Sequence, residues 1–367
     1  MTTNTSVLVV AGLGIWVDGT PKTGKIETHV SPIADAADHV SFVCTGPTAD
    51  RSDDITYHQI RPSRWKPLTL VRQLLLALRL ALARDYDLVV SFALVPYGMF
   101  ALIVGGLTRL PVHLGIIGSD LDVHARAWYG PVVAWLFRRF DVVSVAGVEY
   151  RDRLRRLGVP RERIFTVLHP VNSDFSDASR RADPEYDVLW LTRMSDEKAP
   201  LLFVDALVAL RDRGVEYSAA LVGSGPLEAE VRTAVERAGL ADRVDVPGWA
   251  EEPVEYYRSA RVYVLTSERE MLPLTLVESM LVGVPPVAPA VGAIPDVVKD
   301  GENGVLVADQ SSETYADAIE TLLTDDDTYE TLASNTSAVE SKLSYDAVAE
   351  SWSEIFAYVR GNCSRTD

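Results

Sequence analysis

One stretch decides the fold of this chain: Leu265-Thr-Ser-Glu-Arg-Glu-Met-Leu-Pro-Leu-Thr-Leu-Val-Glu-Ser-Met-Leu-Val-Gly-Val-Pro285. An apolar run typical of a buried strand ends at Leu265, and a polar loop follows it. Pro273 suits the first turn of a helix, because its missing N–H group has no intrahelical partner there. We expect this helix to run to Val282 and to end at Gly283, which suits a C-cap.

Short apolar runs alternate with helical runs on both sides of that stretch, as in parallel sheets covered by helices. In the first half the predicted strands are Val7–Ala11, Val40–Cys44, Leu88–Phe92, Val112–Ile117 and Val142–Val145, and the helices include Leu70–Ala83 and Tyr129–Phe140. In the second half the predicted strands are Val188–Thr192, Ser218–Val222, Val244–Val246, Val262–Leu265, Val287–Ala288 and Val305–Val307. The helices there include Leu201–Arg213, Pro226–Ala238 and Pro273–Val282.

The charge of the chain divides along the same line as these two α/β halves. Residues 1–180 carry a net charge of +3, whereas residues 181–367 carry a net charge of -20. The polar stretch Asn172–Pro184 lies between them and is typical of a linker. We therefore predict an N-terminal domain over residues 1–178, a C-terminal domain over residues 183–345, and a last helix, residues 346–367, that packs back onto the N-terminal domain.

The composition narrows the class of protein. The 367 residues include 52 Asp and Glu against 35 Lys and Arg, and only six of the basic residues are Lys. This acidic excess argues against a nucleic-acid-binding protein and is typical of proteins adapted to concentrated salt; a mesophile with a GC-rich genome is the alternative. Two distant cysteines build no disulfide framework, and the polar N-terminus lacks the pattern of a signal peptide. We therefore expect a cytoplasmic protein.

A stretch of twenty residues without a charge, Leu88–Leu107, is long enough to span a membrane. Pro96, Tyr97 and Gly98 interrupt it in the middle. We therefore expect a buried strand before the interruption and a buried helix, Met99–Thr108, after it. Together with the next strand they form a β-α-β unit.

Two glutamates flank the start of the helix in the deciding stretch. Glu270 lies in the loop before the helix, near backbone N–H groups that attract an anion such as a diphosphate. Glu278 lies about two turns along the helix, where its carboxylate could accept hydrogen bonds from two neighbouring hydroxyl groups. The arrangement suits a nucleotide sugar, although two glutamates eight positions apart are, on their own, equally consistent with solvated surface groups.

The same stretch resembles the E-x7-E motif of the family-4 retaining glycosyltransferases, which have the GT-B fold. The resemblance implies two Rossmann-like α/β domains with parallel sheets that face an interdomain cleft. It extends in order over nearly the whole chain, through Gly118-Ser-Asp120, Val167–Phe175, Leu191-Thr-Arg-Met-Ser-Asp-Glu-Lys198, Val222-Gly-Ser-Gly-Pro226, Val246-Pro-Gly-Trp249, Val287–Asp296 and Gly301-Glu-Asn-Gly304.

The resemblance implies roles for individual residues. Arg193 and Lys198 would hold the donor diphosphate, and two cations there would neutralise the leaving group as the sugar bond breaks. Glu278 would bind the ribose and Glu270 the hydroxyls of the sugar. A surface ion pair of Lys198 with Asp196 or Glu197 is the alternative. The other implied donor-binding residues are Gly14, Gly223, Gly225, Trp249, Met271, Leu272, Pro273 and Leu274.

The sequence departs from the family pattern at two positions. Met271 stands where the family usually has Gly, which affects the sugar pocket, and Ile117 stands where it often has a catalytic His. Asp120 remains as a catalytic and acceptor-binding candidate, with His124 near it. The resemblance implies that the donor phosphate helps to take the acceptor proton. No metal or other cofactor is expected.

An unusual basic segment precedes the predicted strand Leu88–Phe92. Residues 61–84 contain no acidic residue and include several Arg residues. The helix could rest its apolar face on the sheet and its Arg residues on anionic lipid headgroups. An ordinary core helix with an arginine edge is an equally good interpretation. The first interpretation predicts a peripheral protein on the inner face of the cell membrane.

Together these observations predict an enzyme, a retaining hexosyltransferase. It would move a hexose or N-acetylhexosamine from a nucleotide-diphosphate sugar to a glycan or a lipid-linked acceptor. A catalytically silent glycosyltransferase-like binding protein and a GT-B sugar-nucleotide epimerase are the alternatives. An NAD oxidoreductase would need a Gly-x-Gly-x-x-Gly motif after the first strand, and position 17 is Val.

Overall fold

The computed structural model of the chain describes residues 5–11, 15–17, 20–22, 29–45, 53–116, 119–171 and 173–363. The chain divides into two compact units. The first unit comprises residues 1–170 and 343–367, and the second comprises residues 171–342. Gly14, Ile117 and Gly118 lie outside the described residues.

The first unit is built on a seven-stranded parallel sheet with the order β5-β4-β1-β6-β7-β8-β9. Its strands are β1 (Ser6–Val10), β4 (His39–Thr45), β5 (Ile55–Ile60), β6 (Leu88–Phe92), β7 (Val112–Gly115), β8 (Val142–Val145) and β9 (Ile164–Thr166). A small antiparallel pair, β2 (Ile15–Val17) and β3 (Thr20–Lys22), is separate from this sheet. The chain order reverses direction between β1 and β6, as in Rossmann-like sheets.

Two strands of this sheet, β5 and β9, were absent from the sequence prediction. Within β5 only the end residues Ile55 and Ile60 are buried, because this strand lies at the edge of the sheet. A polar strand of this kind lacks the continuous apolar run that marks a central parallel strand. The five strands that were predicted in this half are all present, within two residues at each end.

Helices cover this sheet. They are α1 (Ser31–Ala36), α2 (Lys66–Ala83), α3 (Met99–Thr108), α4 (Gly130–Phe137), α5 (Val148–Arg156) and, at the end of the chain, α15 (Tyr345–Cys363). Helix α15 packs on α1 and buries Trp352, Ile355 and Phe356 in the core of the first unit. A π-helical turn, Leu94–Gly98, separates β6 from α3, so the uncharged stretch is a strand followed by a helix, as predicted. None of the helices within the described ranges is long and apolar enough to cross a bilayer.

The basic helix α2 buries only part of its apolar surface. Its deeply buried positions are small or polar, namely Thr69, Gln73, Ala77 and Ala81. Its large apolar residues Leu68, Val71, Leu75 and Leu82 are exposed. Five other leucines of the helix are half-buried, so part of its apolar surface packs inward, as expected, and part faces outward: Leu70, Leu74, Leu76, Leu78 and Leu80. On the buried side, the Gln73 amide donates hydrogen bonds to the carbonyl of Ala11, just after β1, and to that of Val43, within β4.

The second unit is built on a six-stranded parallel sheet with the order β12-β11-β10-β13-β14-β15. Its strands are β10 (Tyr186–Leu191), β11 (Ala219–Val222), β12 (Val244–Gly248), β13 (Ala260–Val264), β14 (Pro286–Pro289) and β15 (Val305–Val307). The direction of the strand order reverses between β10 and β13. In open α/β sheets, ligands bind at the carboxyl ends of the strands at such a reversal.

The helices of the second unit flank this sheet around a continuous apolar core. They are α6 (Ser173–Ser176), α7 (Pro200–Asp212), α8 (Glu228–Arg237), α9 (Pro253–Arg258), α10 (Leu274–Leu281), α11 (Ile294–Val297), α12 (Ser312–Thr324), α13 (Asp326–Asn335) and α14 (Glu340–Leu343). Trp190 and Phe203 are fully buried in the core. All six strands predicted for this half are present, so both halves have the predicted parallel α/β architecture.

The polar segment between the two sheets makes backbone hydrogen bonds within the second unit. The N–H of Arg180 donates to the carbonyl of Val282, and that of Arg181 donates to the carbonyl of Arg258. The second unit accordingly begins at Val171, ahead of this segment.

Candidate active site

The site lies in the second unit, where the strand order reverses. Strands β10 and β13 are adjacent and parallel, so their carboxyl ends meet at one edge of the sheet. The loop after β10 carries Arg193 and Lys198, and the loop after β13 carries Glu270. The fold therefore brings Lys198 and Glu270 together, although 72 positions separate them in the sequence.

Lys198 forms an ion pair with Glu270, because its Nζ atom donates a hydrogen bond to Oε1 of that carboxylate. The Lys198 side chain is 19% exposed and the Glu270 side chain 9%, so the pair is largely withdrawn from water. The alternative partners considered from the sequence, Asp196 and Glu197, do not pair with Lys198 among the described residues. Ion pairs that are partly buried interact more strongly than exposed ones.

Hydrogen bonds between the two loops hold this pair in position. The buried Thr266 hydroxyl donates to the backbone carbonyls of Lys198 and Ala199, at 2.9 Å each. It also accepts a hydrogen bond from the indole N–H of Trp190 at 3.0 Å. The N–H of Glu268 donates to the carbonyl of Glu197 at 3.0 Å. The two loops are thus joined on the buried side of the ion pair.

A third loop supports the backbone at Glu270. Gly292 has φ +59°, and a β carbon at this position would lie 1.8 Å from the Glu270 carbonyl oxygen. The next residue, Ala293, donates its N–H to the carbonyl of Met271 at 2.7 Å. Only glycine permits this approach, because any side chain would push the loop away.

The glycine loop after β11 packs against the segment that carries Arg193. The N–H of Met194 donates to the Ser224 carbonyl, and a β carbon on Gly225 would lie 2.2 Å from the Met194 carbonyl oxygen. A β carbon on Gly223 would lie 1.9 Å from the carbonyl oxygen of Thr192. Between these contacts the Arg193 side chain is exposed, and it has no ion-pair partner within the described ranges.

Helix α10 begins at Leu274, with Pro273 as its N-cap, and ends one residue before Val282. Glu278 therefore lies about one turn from the helix start, closer than the two turns expected from the sequence. Its Oε2 atom accepts a hydrogen bond from the buried Tyr257 hydroxyl at 2.9 Å. Burial raises the pKa of Glu278 to about 7, and the Tyr257 hydrogen bond partly opposes that rise.

The remaining predicted donor residues vary in exposure. Leu272 and Pro273 are buried, whereas Met271 and Leu274 are half-buried. Trp249 follows β12 and is 60% exposed.

The site as a whole combines several kinds of polar group near one edge of the sheet. They are the backbone N–H groups at the start of α10, two basic side chains and two carboxylates. This arrangement can bind an anion and several hydroxyl groups.

The first-unit candidates are held by their own surroundings. Asp120 is 1% exposed, and its Oδ1 atom accepts a hydrogen bond from the N–H of Leu94 at 3.1 Å. His124 Nδ1 lies 2.7 Å from the Tyr129 hydroxyl. Both residues belong to a π-helical turn that follows the carboxyl end of β7. Within the described part of the chain, no cluster of three or more His, Cys, Asp and Glu residues could hold a metal ion.

Comparison with known proteins finds a match for each of the two units. Residues 172–339 match the family model for glycosyl transferases group 1, and residues 30–168 match the model for a glycosyl transferase 4-like domain. The structure of Anabaena Alr3699/HepE in complex with UDP aligns over 96% of this chain and 99% of that one, with a TM-score of 0.79 and 19% identity. The chain has the GT-B fold. The predicted fold class is therefore confirmed.

Other similar proteins extend this comparison. Sucrose-phosphate synthase from Thermosynechococcus elongatus aligns over 98% of this GT-B chain and 100% of that protein, with a TM-score of 0.74 and 21% identity. The putative colanic acid biosynthesis glycosyltransferase WcaL of Escherichia coli is 27% identical over 234 residues, 60% of this chain and 58% of that protein. Alpha-D-kanosaminyltransferase of Streptomyces kanamyceticus is 28% identical over 56% of this chain and 58% of that protein. The matches span less than two thirds of either relative.

Several residues of the site were missed by sequence reasoning. Tyr257 and Thr266 contribute hydroxyl groups, and Gly292 permits the loop contact at Glu270. Tyr257 has no sequence signal, because it acts through a contact with a distant part of the chain, whereas Thr266 lies in the stretch that resembles the family motif. Gly292 had a weak signal, since it lies in one of the segments that resemble the family.

Proposed function

We propose that this GT-B chain is a retaining glycosyltransferase. It moves a hexose or N-acetylhexosamine from a nucleotide-diphosphate sugar to a glycan or a lipid-linked acceptor, without a metal ion. The observation that carries this proposal is the ion pair of Lys198 with Glu270 beside the start of α10. It joins a cation suited to a diphosphate and a carboxylate suited to sugar hydroxyls.

The chemistry of the second unit supports transfer rather than simple binding. Breaking the bond to the sugar leaves negative charge on the diphosphate, and Arg193, Lys198 and the N–H groups at the start of α10 would stabilise it. Glu270 would accept hydrogen bonds from the sugar hydroxyls and hold the ring while positive charge develops on it. The side chains position the reactants, and the donor phosphate receives the acceptor proton.

Glu278 would bind the ribose of the donor. A carboxylate has enough lone pairs to accept hydrogen bonds from both ribose hydroxyls in addition to the one from Tyr257. The raised pKa of Glu278 means that this residue is the most sensitive to pH among the proposed donor contacts. Trp249, exposed after β12, would contact the nucleotide base.

Similar proteins support the proposed substrates. The Anabaena Alr3699/HepE structures contain UDP, UDP with glucose, or UDP-glucose, at 19–20% identity to this chain. The names of relatives refer to colanic acid biosynthesis and to an undecaprenol-linked acceptor. By this similarity the acceptor is proposed to be a growing cell-surface glycan.

The proposal is tested by a thermal-shift screen of nucleotide sugars, run at high salt, followed by an assay of nucleoside diphosphate release with each donor that binds. The anomeric configuration of the product, read by NMR, reports retention. Binding without release in the presence of acceptor extracts would favour a catalytically silent binding protein. Formation of an epimeric sugar nucleotide without an acceptor would favour an epimerase. Full activity in the presence of EDTA is expected for a metal-independent enzyme.

We also propose that the first unit associates with an anionic membrane surface through residues 61–84. The supporting observation is that α2 exposes Leu68, Val71, Leu75 and Leu82 beside Arg72 and Arg79. Such a face buries its apolar side chains at the lipid interface while the guanidinium groups contact phosphates. Flotation with anionic liposomes tests the idea, and equal flotation of wild type and a charge-reversed helix would contradict it.

Adaptation to concentrated salt is the remaining part of the proposal. The second half of the sequence carries a net charge of -20, and its exposed acidic groups repel one another at low ionic strength. That net charge already counts the basic residues in local ion pairs, such as those of Arg213 with Glu313, Asp317 and Glu320. It is therefore left to be screened by ions.

A further inference from the structure

A groove of about 1110 Å³ lies in the first unit, away from the predicted acceptor residues. Its floor includes Pro111 and Val112 at the amino end of β7, and Asp141 immediately before β8. Asp120 follows the carboxyl end of β7, at the opposite edge of the same parallel sheet. The groove is thus separate from the residues to which the first unit's part in transfer has been assigned.

The walls of the groove are apolar and partly open to solvent. Helix α3 contributes Met99 and Ile103, which are 42% and 43% exposed, and α4 contributes Trp135, which is 47% exposed. Helix α15 closes the groove with Tyr358 and Val359. Concave sites lined by apolar and aromatic side chains are typical of small-molecule binding sites.

Two adjacent glycines give the groove its shape. A β carbon on Gly105 would lie 2.3 Å from Cγ1 of Val112, so this glycine lets α3 pack directly on the floor. A β carbon on Gly106 would meet no atom within 4 Å, so this position opens into empty space. A glycine in a helix is destabilising unless something uses the space that it leaves.

The rim of the groove carries positive charge. Arg109 and Arg139 are exposed and line it, and neither has an acidic ion-pair partner among the described residues. The Arg139 guanidinium stacks over the Trp135 ring, 4.5 Å from its centroid. A third arginine and two acidic residues also line the groove: Arg163 donates to the carbonyl of Phe140 at 3.4 Å, Asp141 accepts the N–H of Val112 at 2.9 Å, and Glu162 is exposed. An apolar trough with two arginines at its rim complements a chain with an anionic head.

We propose that this groove binds a single-chain lipid phosphate, with the chain along α3 and α4 and the phosphate between Arg109 and Arg139. The inference does not depend on the transfer activity, because none of these residues belongs to the proposed active site. It also differs from adsorption to a membrane, because a monomeric amphiphile is sufficient to occupy the groove.

The test uses decyl phosphate below its micelle concentration, with the full chain, and reads both thermal stabilisation and quenching of tryptophan fluorescence. Gly106→Phe adds a ring to the groove at a position where a β carbon meets no atom within 4 Å, and Val148→Phe is the control, because it adds a ring at an exposed position of α5 that does not line the groove. We expect Gly106→Phe to weaken binding about tenfold or more and Val148→Phe to leave it unchanged. Since the phenylalanine replaces a helical glycine, the filled variant is expected to fold.

Charge variants distinguish binding of the phosphate headgroup from binding of the alkyl chain. Replacing both Arg109 and Arg139 by Gln is expected to weaken binding of decyl phosphate, whereas Arg156→Gln, on an exposed position of α5, is expected to leave it unchanged. Inorganic phosphate alone and decyltrimethylammonium are expected to produce no stabilisation. Equal binding of decyl phosphate by wild type and Gly106→Phe would overturn the proposal. So would equal binding of the cationic amphiphile, or a dimer of the chain that Gly106→Phe dissociates.

Discussion

The ammonium group of Lys198 donates a hydrogen bond to the carboxylate of Glu270, although 72 positions separate the two residues in the sequence. Each residue follows one of two adjacent parallel strands at the reversal of the strand order. A donor diphosphate that binds to Lys198 would therefore compete with Glu270 for the same ammonium group. The sugar hydroxyls would compensate, because they donate hydrogen bonds to the carboxylate.

The ion pair leads to a prediction about stability and activity together. Lys198→Met is expected to abolish transfer and to destabilise the chain by about 3 kcal/mol, because it leaves the Glu270 carboxylate largely buried without its cation. Lys198→Met combined with Glu270→Gln is expected to regain most of that stability and none of the activity. Urea denaturation and the diphosphate-release assay measure the two effects. Lys299→Met, at an exposed lysine, is the control, and a double variant less stable than Lys198→Met would contradict the prediction.

Glu278 predicts a pH dependence of stability. Its pKa is about 7 in the folded chain and near 4.5 when unfolded, so as pH rises the unfolded chain loses this proton at a lower pH than the folded chain does. The free energy of unfolding therefore decreases as pH rises from 4.5 to 7, and above pH 7 the decrease reaches about 3 kcal/mol. Glu278→Gln is therefore expected to raise the melting temperature at pH 8 but not at pH 4.5, with Glu268→Gln, at an exposed loop position, unchanged at both. An equal effect of Glu278→Gln at the two pH values would refute the assignment.

The same carboxyl group predicts a pH dependence of donor binding. As pH rises through about 7, Glu278 loses its proton and gains the capacity to accept both ribose hydroxyls. Donor affinity is therefore expected to increase between pH 6 and pH 8 in the wild type. Isothermal titration calorimetry at several pH values measures it. Glu278→Gln is expected to bind the donor weakly, and its residual affinity should not vary with pH over this range.

The contact between Gly292 and the Glu270 carbonyl predicts a large effect of one methyl group. Gly292→Ala places a β carbon 1.8 Å from that oxygen, so the loop with Glu270 must move. We expect the free energy of unfolding to decrease by about 3 kcal/mol and kcat/KM to decrease about tenfold or more. Gly301→Ala is a matched control, because Gly301 also has positive φ (+73°) but has no atom within 4 Å of a β carbon. Gly301→Ala is expected to lower the free energy of unfolding by about 1 kcal/mol and to retain activity. Similar activity losses in both variants would argue against the contact.

The exposed face of α2 predicts membrane binding that depends on apolar side chains. Leu75→Gln combined with Leu82→Gln is expected to remove flotation with anionic liposomes and to leave the melting temperature within about 2 °C, because both residues are exposed. Val148→Gln, at an exposed apolar position on α5, is the control and should float as the wild type does. Flotation of the double variant at wild-type levels would exclude this face as the contact.

The acidic second half predicts a salt dependence of stability. Raising KCl from 0.1 M to 1 M shortens the screening length from about 10 Å to about 3 Å, which weakens repulsion among the acidic groups. We expect the melting temperature to rise by about 4 °C or more over this range. Circular dichroism follows the transition. An unchanged or lower melting temperature at high salt would support the mesophilic alternative instead.

The sequence by itself determined the architecture of both units. Short apolar strands such as Leu88–Phe92 and Val142–Val145 were located correctly, because a parallel strand buried on both faces needs a continuous apolar run. Edge strand β5 could not be found in this way, since it buries only its two end residues. The sequence also identified Lys198, Glu270 and Glu278 as candidates, from their spacing and their resemblance to a family motif.

Only the tertiary structure decided how those residues interact. It paired Lys198 with Glu270, placed Tyr257 against Glu278, and left three of the eight leucines of α2 exposed. The two side-chain contacts join parts of the chain that are distant in sequence, and each depends on which strands are neighbours and on how closely two backbones approach. Local periodicity carries no such information, because it records which side of a helix or strand is apolar and not what lies opposite that side.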